Sequence, residues 1–233
     1  MPGASFVSDN GTRRGTHRAT KKDVATLEKS CRWKRYAAHE QIIDRQSELR
    51  DVYFVVEGRV RVVNYSLSGR EITLDDVSEG GYFGELAALD SQPRSASVIA
   101  LTETLVISLP PDIFLKTLSR HPSLALKVMI HLAHVVRTST DRIMDLGTLA
   151  AHNRVHAELL CEARAIMDGK NRAVISPHPA HGDIASRVST ARETVSRVLS
   201  DLTRQGIVQR TKDVLILPDV ERPQEMVERE RSE

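Results

Sequence analysis

Apolar and polar positions alternate in short runs between about Trp33 and Leu109. Val52–Val56, Val60–Tyr65, Glu71–Leu74, Ser97–Ala100 and Leu105–Leu109 are rich in Val, Ile and Tyr, and Gly58, Ser68-Gly69 and Gly80-Gly81 punctuate them. Many short strands separated by turn residues predict an antiparallel β-barrel or jelly roll. Helical spacing takes over near Pro111. After His121-Pro122 an apolar seam runs Ala125, Val128, Leu132, Val135, and its continuation gives Ser139, Arg142, Leu146 and Leu149. The alternation of threes and fours predicts a long helix pairing with a second copy, although a helix buried in one monomer starts the same way. Gly147 is placed to weaken or end it.

A further helix is expected over Asn153–Met167, closing at Asp168-Gly169. Ala173–Ser176 then reads as strand. Asp183–Val188 and Ala191–Gln205 read as two short helices, the second stopped by Gly206. Ile207–Arg210 and Val214–Leu217 flank Thr211-Lys212-Asp213 as a small hairpin. The predicted fold class is α+β. Residues 1–22 are expected to form a flexible basic arm, 23–120 a β-barrel, 121–149 the dimer helix, 150–220 a C-terminal winged helix-turn-helix, and 221–233 a polar, frayed tail.

The 233 residues are 40% hydrophobic and 27% charged, which supports packed cores and argues against wholesale disorder. A net charge of +2 leaves only a local basic face possible. From Arg13 to Arg35 nine Lys/Arg face Asp23 and Glu28, either a solvated tail or an arm touching DNA phosphates. Two distant cysteines, Cys31 and Cys161, make neither a disulfide framework nor a zinc quartet. His131/His134 and His152/His156 have helical spacing, but no local carboxylate or thiol completes a metal site, so a metal-dependent hydrolase is a remote reading. No phosphate loop, nucleophile elbow or HExxH occurs, and a non-enzyme is expected. The lack of a signal-like or long apolar stretch predicts a soluble cytoplasmic protein without membrane contact.

Chemistry concentrates in FGELAALDSQPRSASV, Phe83 to Val98. Gly84 permits close backbone approach, and amides from Gly84 through Leu86 to Ala87 open a short helix whose N-terminus attracts an anion. Glu85 can accept from a sugar hydroxyl, Arg94 offers a planar fork to phosphate oxygens, and Ser95 adds a hydroxyl and an amide. Singly, Glu85 is as well a helix cap and Arg94 its ion-pair partner.

The stretch Asp183 to Leu202 places Ile184, Val188, Val195, Val198 and Leu199 for one small core, with Ala185 where two helices cross. Thr190 and Glu193 match a capping box. The second helix presents Arg192, Glu193, Ser196 and Arg197, residue types that reach guanine and cytosine edges in a major groove. A cap or an i,i+4 pair with Arg197 are the alternatives for Glu193. Thr203, Arg204, Arg210 and Lys212 are candidate phosphate contacts.

Residues 30 to 218 resemble the CRP/FNR family of bacterial transcription regulators, closest to its cyclic AMP receptor branch. The resemblance rests on the Phe83–Val98 cassette, on YFVVEGRVRVV around Gly58, and on RETVSR at Arg192. It implies that Gly84, Glu85, Leu86, Arg94 and Ser95 hold the ribose and cyclic phosphate of an effector, cyclic AMP or cyclic GMP. Ser139 and Thr140 of the long helix would meet its base, although a polar seam residue also serves to fix register. It further implies a homodimer on palindromic double-stranded DNA, with Thr190, Arg192, Glu193, Ser196, Arg197, Arg204 and Lys212 at the interface, and RNA polymerase as partner if the protein activates. Ser189 stands where family members often carry Gly. A redox or gas effector, or a regulatory module acting on a protein partner, are the competing readings.

Overall fold

The computed structural model describes residues 31–164, 166–167 and 171–231. The basic arm and the Asp168-Gly169 stop lie outside the described residues. Two compact units divide the chain, the first up to His134 and the second from Val135 onward.

The first unit holds two four-stranded antiparallel sheets. Strands β1 (Arg32–Tyr36), β8 (Thr104–Leu109), β3 (Val52–Glu57) and β6 (Tyr82–Phe83) lie in that order in one. In the other, β2 (Gln41–Ile43), β7 (Ser97–Ala100), β4 (Arg59–Tyr65) and β5 (Glu71–Ser78) do the same. Tyr36, Tyr53, Phe83 and Val106 from one sheet and Ile43, Val60, Val77 and Val98 from the other form a shared core. Two antiparallel sheets closing on one core are the predicted jelly roll. The period-2 runs produce it because each strand buries one face there. Gly58, at φ +88, lets β3 turn into β4 against the backbone of Glu103, where a Cβ would stand 2.4 Å from the Glu103 oxygen.

A second core lies under helices α1 (Glu85–Asp90), α2 (Pro111–Arg120) and α3 (Pro122–Thr148). Val128 of α3 packs there with Val52, Tyr82, Ala88, Leu109 and Phe114, and Leu132 lies partly buried against it. Val128 is therefore spent inside the chain, which corrects the seam read from sequence. Among the apolar residues exposed on α3, which also include Leu126, Ile130, Met144 and Leu146, Met129 (57%), Val136 (65%) and Ile143 (69%) lie one position later and recur every seven residues. Ser139 and Leu146 are exposed beside this row, while Val135 and Arg142 of the row expected from the sequence are half-buried. The helix runs through Gly147.

In the second unit, α4 (Ala151–Arg164), α5 (His181–Arg187) and α6 (Arg192–Arg204) pack with a three-stranded sheet in the order β10 (Gln209–Arg210), β11 (Leu215–Leu217), β9 (Ala173–Ile175). Ile184, Ala185, Val188, Val195, Val198 and Leu199 bury together as the sequence predicts. The tail differs from expectation: Glu221–Arg231 is a helix, α7, that packs on α4, with Val227 buried and Met226 against the core. Among the described residues no helix is long and apolar enough to cross a membrane.

Candidate effector site and nucleic-acid interface

The first site is built where β6 ends. Pairing of Tyr53 with Phe83 and of Phe54 with Tyr82 brings the chain leaving β6 beside the chain entering β3, so Gly84 emerges next to Asp51. Gly84 caps α1 at φ +82, a conformation few L side chains adopt. A Cβ there would stand 2.7 Å from Arg94 Nη1, 3.0 Å from the Asp51 oxygen and 3.2 Å from Ile43 Cδ1.

Arg94 fills that space. Its Nη1 donates to the Gly84 carbonyl and its Nη2 to the Asp51 carbonyl, both at 2.8 Å. The side chain is 5% exposed, and Nε is buried with no hydrogen-bond partner. Burial lowers the guanidinium pKa, and Tyr53, Asp51 and Glu85 counter it. Such a group stays protonated in proteins, so the site carries a desolvated cation whose direct partners are two neutral carbonyls. Its hydrogen bonds thus go to these carbonyls and not to the Glu85 carboxylate.

Glu85 opens α1 and is buried. Burial holds its carboxyl above the usual carboxylate range. A hydrogen bond from its own backbone amide and Arg94 oppose that, and Asp75 of β5 reinforces it. Asp75 was not singled out in the sequence, and its signal is faint. Its ladder partner is Val62, whose side chain packs toward the sheet core, while the neighbouring Asp76 pairs with Arg61 at 2.7 Å. Asp51 and Asn64 were also missed. Asp51 acts through its carbonyl, which any residue supplies, and Asn64 Nδ2 donates to the Ser95 carbonyl at 3.1 Å, tying the cassette to β4. Ser95 and Leu86 are exposed at the rim. Tyr53 stacks on Phe83 with ring centroids 5.3 Å apart, and burial pushes its hydroxyl pKa up.

These donors suit a sugar phosphate ester. The orphaned Nε and the buried positive charge call for an anion, Glu85 is an acceptor for a hydroxyl, and Gly84 leaves room for the cation. Ser139 and Thr140 belong to the second unit, exposed on α3, with Thr140 Oγ1 donating back to the Val136 carbonyl at 2.9 Å.

The second site is the α5–turn–α6 motif. Ser189 sits in the turn at φ +53, the left-handed region, which explains why a glycine suits this position. Ala191, not Thr190, caps α6, and no side-chain cap bond is made. The expected capping box is absent: the helix starts one residue late, at Arg192, which puts Glu193 in its first turn, exposed and not reaching back. Thr190 instead donates its backbone N–H to the Ala185 carbonyl. Arg192, Glu193 and Arg197 are exposed and Ser196 half-buried, one polar face above buried Val195, Val198 and Leu199. Arg204 is exposed and pairs with Asp201, and Lys212 is exposed at the hairpin turn. Beside the start of α6, Arg210 Nη2 approaches His181 Nε2 at 3.4 Å, and His178 and His181 lie 6.3 Å apart between ring centroids. A guanidinium only donates, so His181 accepts in its neutral form.

Comparison with known proteins matches both halves of the chain to domain families. The cyclic nucleotide-binding domain family matches residues 33–121, and the Crp-like helix-turn-helix domain family matches residues 153–224. The transcriptional regulator LdrP of Thermus thermophilus is 35% identical over 175 residues, 75% of this chain and 86% of that one. The cyclic AMP receptor protein of the same organism is 33% identical over 158 residues, 68% and 70% of the two chains. The crystal structure of a CRP/FNR-family transcriptional regulator, also from Thermus thermophilus, aligns with a TM-score of 0.64 at 26% identity, over 84% of this chain and 98% of that one. A jelly-roll unit matching the cyclic nucleotide-binding domain family, followed by a Crp-like helix-turn-helix unit, thus places this chain in the CRP/FNR family of DNA-binding transcription regulators.

Proposed function

We propose that the chain is a homodimeric regulator whose affinity for palindromic DNA is set by a cyclic nucleotide. The observation that carries this reading is Arg94: a buried guanidinium held by two carbonyls, with Nε unpaired, beside Gly84 and Glu85. An isolated buried charge is costly, and a bound phosphate offsets that cost with charge-assisted hydrogen bonds. Glu85 accepts from the ribose, Ser95 adds its hydroxyl and amide, and Ser139 and Thr140 hydrogen-bond the base. The name of the Thermus cyclic AMP receptor protein supports cyclic AMP as the first effector to test.

The exposed row Met129, Val136 and Ile143 supplies the dimer seam. Two recognition helices then reach successive major grooves about 34 Å apart. A ligand acts only through differential affinity, and moving a 1:99 equilibrium to 99:1 needs about 5.5 kcal/mol. A few charge-assisted bonds at roughly 1.5–3 kcal/mol each, in two sites, suffice.

Calorimetric titration with cyclic AMP and with cyclic GMP, followed by selection of duplexes from a random pool with and without the tighter nucleotide, tests the proposal. Selection of one palindromic sequence only in the presence of nucleotide is the expected result. Equal DNA affinity at zero and saturating nucleotide overturns it.

A further inference from the structure

Leu149 and Ala150 join α3 to α4. Leu149 is buried, and its N–H donates to the Asp145 carbonyl at 3.0 Å, so the last turn of α3 reaches it. Its own carbonyl, like those of any helix end, lacks a helical N–H to accept from. Arg154, in the first turn of α4, supplies the donor: Nη1 lies 2.8 Å from the Leu149 oxygen. The same guanidinium donates Nε to the Val188 carbonyl at 2.9 Å and Nη2 to the Ser189 carbonyl at 3.3 Å. Val188 is the C-cap of α5, and Ser189 is the residue held at φ +53 three positions before α6 begins.

We infer that Arg154 is a positioning residue for DNA recognition: its guanidinium binds the end of α3 and the turn before the recognition helix into one unit, and so sets the angle at which α6 presents Arg192, Glu193 and Arg197. A planar fork with donors on three nitrogens spans three carbonyls at once, whereas a lysine ammonium is a single point of charge. Movement of the chain at Leu149 is then passed to the turn through one rigid group. The inference rests on α6 as the reading helix and not on the identity of the effector.

The test uses the full-length chain with Arg154→Met and Arg154→Lys, and two duplexes: one selected from a random pool by the wild-type chain, and one of random sequence and equal length. For both variants affinity for the selected duplex falls about ten-fold. Affinity for the random duplex and its salt dependence stay at the wild-type level. Amide hydrogen exchange quickens at Leu149 and Thr190 together and not at Val198. A drop shared equally by both duplexes, full rescue by lysine, or wild-type discrimination in both variants overturns the inference. If the wild-type chain itself does not distinguish the duplexes, the assignment of α6 fails instead. The exchange data then decide alone, and unchanged exchange at Leu149 and Thr190 overturns the role of Arg154.

Discussion

Arg94 Nη1 donates to the carbonyl oxygen of Gly84 across 2.8 Å, and a Cβ on Gly84 would stand 2.7 Å from that same nitrogen. The glycine and the cation are one device. The absent side chain is the room in which the guanidinium lies.

Gly84→Ala therefore misplaces Arg94, the movable end of a long side chain and the nearest obstruction, while the Asp51 backbone oxygen 3.0 Å away must also give by a few tenths of an ångström. The left-handed backbone adds a cost of roughly 1–2 kcal/mol, about 2–4 °C of melting temperature for each kcal/mol in a chain of this size. Cyclic AMP affinity should fall at least about ten-fold, as it should for Arg94→Ala, which removes charge-assisted bonds of about 1.5–3 kcal/mol. Calorimetry reads both, and unaltered affinity in either variant removes the pocket from the mechanism.

Glu85 makes a prediction in pH. Burial first, and Asp75 next among the groups that raise it, place its folded pKa above its unfolded value. A carboxyl shifted in that direction contributes fully to stability below the ordinary carboxylate range and loses the contribution as pH rises through the shifted value. Glu85→Gln should therefore melt above wild type at pH 7.5 without ligand, and the gap should close toward pH 4. Parallel melting curves across that range would contradict the buried, strained carboxyl.

The jelly-roll strands and the core of the helix-turn-helix were legible because each depends on side-chain period, and Val60 and Val77, or Val195 and Leu199, must face inward for the pattern to exist at all. The partners of Arg94 were not legible, since the Asp51 and Gly84 carbonyls leave no trace in residue identity. The cap of α6 was misread because Thr190 and Glu193 have the spacing of a capping box, while the left-handed Ser189 delays the helix start until Arg192. Helix α7 was hidden because so few of the residues described in it, Pro223 and Val227 foremost, are buried among many charges.

The dimer seam proposed for α3 turns on two neighbouring rows of one helix. Val128 is consumed by the core under α2, which leaves Met129, Val136 and Ile143 facing out. Val136→Glu should raise the dimer dissociation constant roughly a hundred-fold or more by setting like charges across a two-fold seam. Arg142→Ala, on the row that the sequence pattern alone favours, should leave it unchanged. Sedimentation velocity separates the two, and the reverse ranking would return the seam to the row of Val135 and Arg142.

Mutation can separate the two roles proposed here, reading of DNA by α6 and holding of its backbone by the hairpin. Arg192→Ala should relax preference at one base pair by about 1–3 kcal/mol, and Lys212→Ala should weaken all sequences alike and lower the salt slope by about one. A uniform loss for Arg192→Ala would make it a phosphate contact, and an unchanged slope for Lys212→Ala would take the hairpin turn off the backbone.

His181 adds a pH dependence to the same surface. Burial, then Arg210, His178 and Arg192, hold its pKa below the usual histidine value, so the neutral ring stabilises the fold above the ordinary histidine range and that contribution is lost as pH falls through the lowered value. A DNA phosphate arriving beside these cations reverses the balance by favouring the imidazolium, so binding takes up a proton. Affinity for a random duplex should therefore rise as pH falls from 7.5 to 5.5 at constant ionic strength, by at most about ten-fold per pH unit for one proton. His181→Gln should flatten that rise, while other histidines keep any remainder. Identical pH slopes in the two proteins would place His181 outside the DNA footprint and leave Arg210 to act there alone.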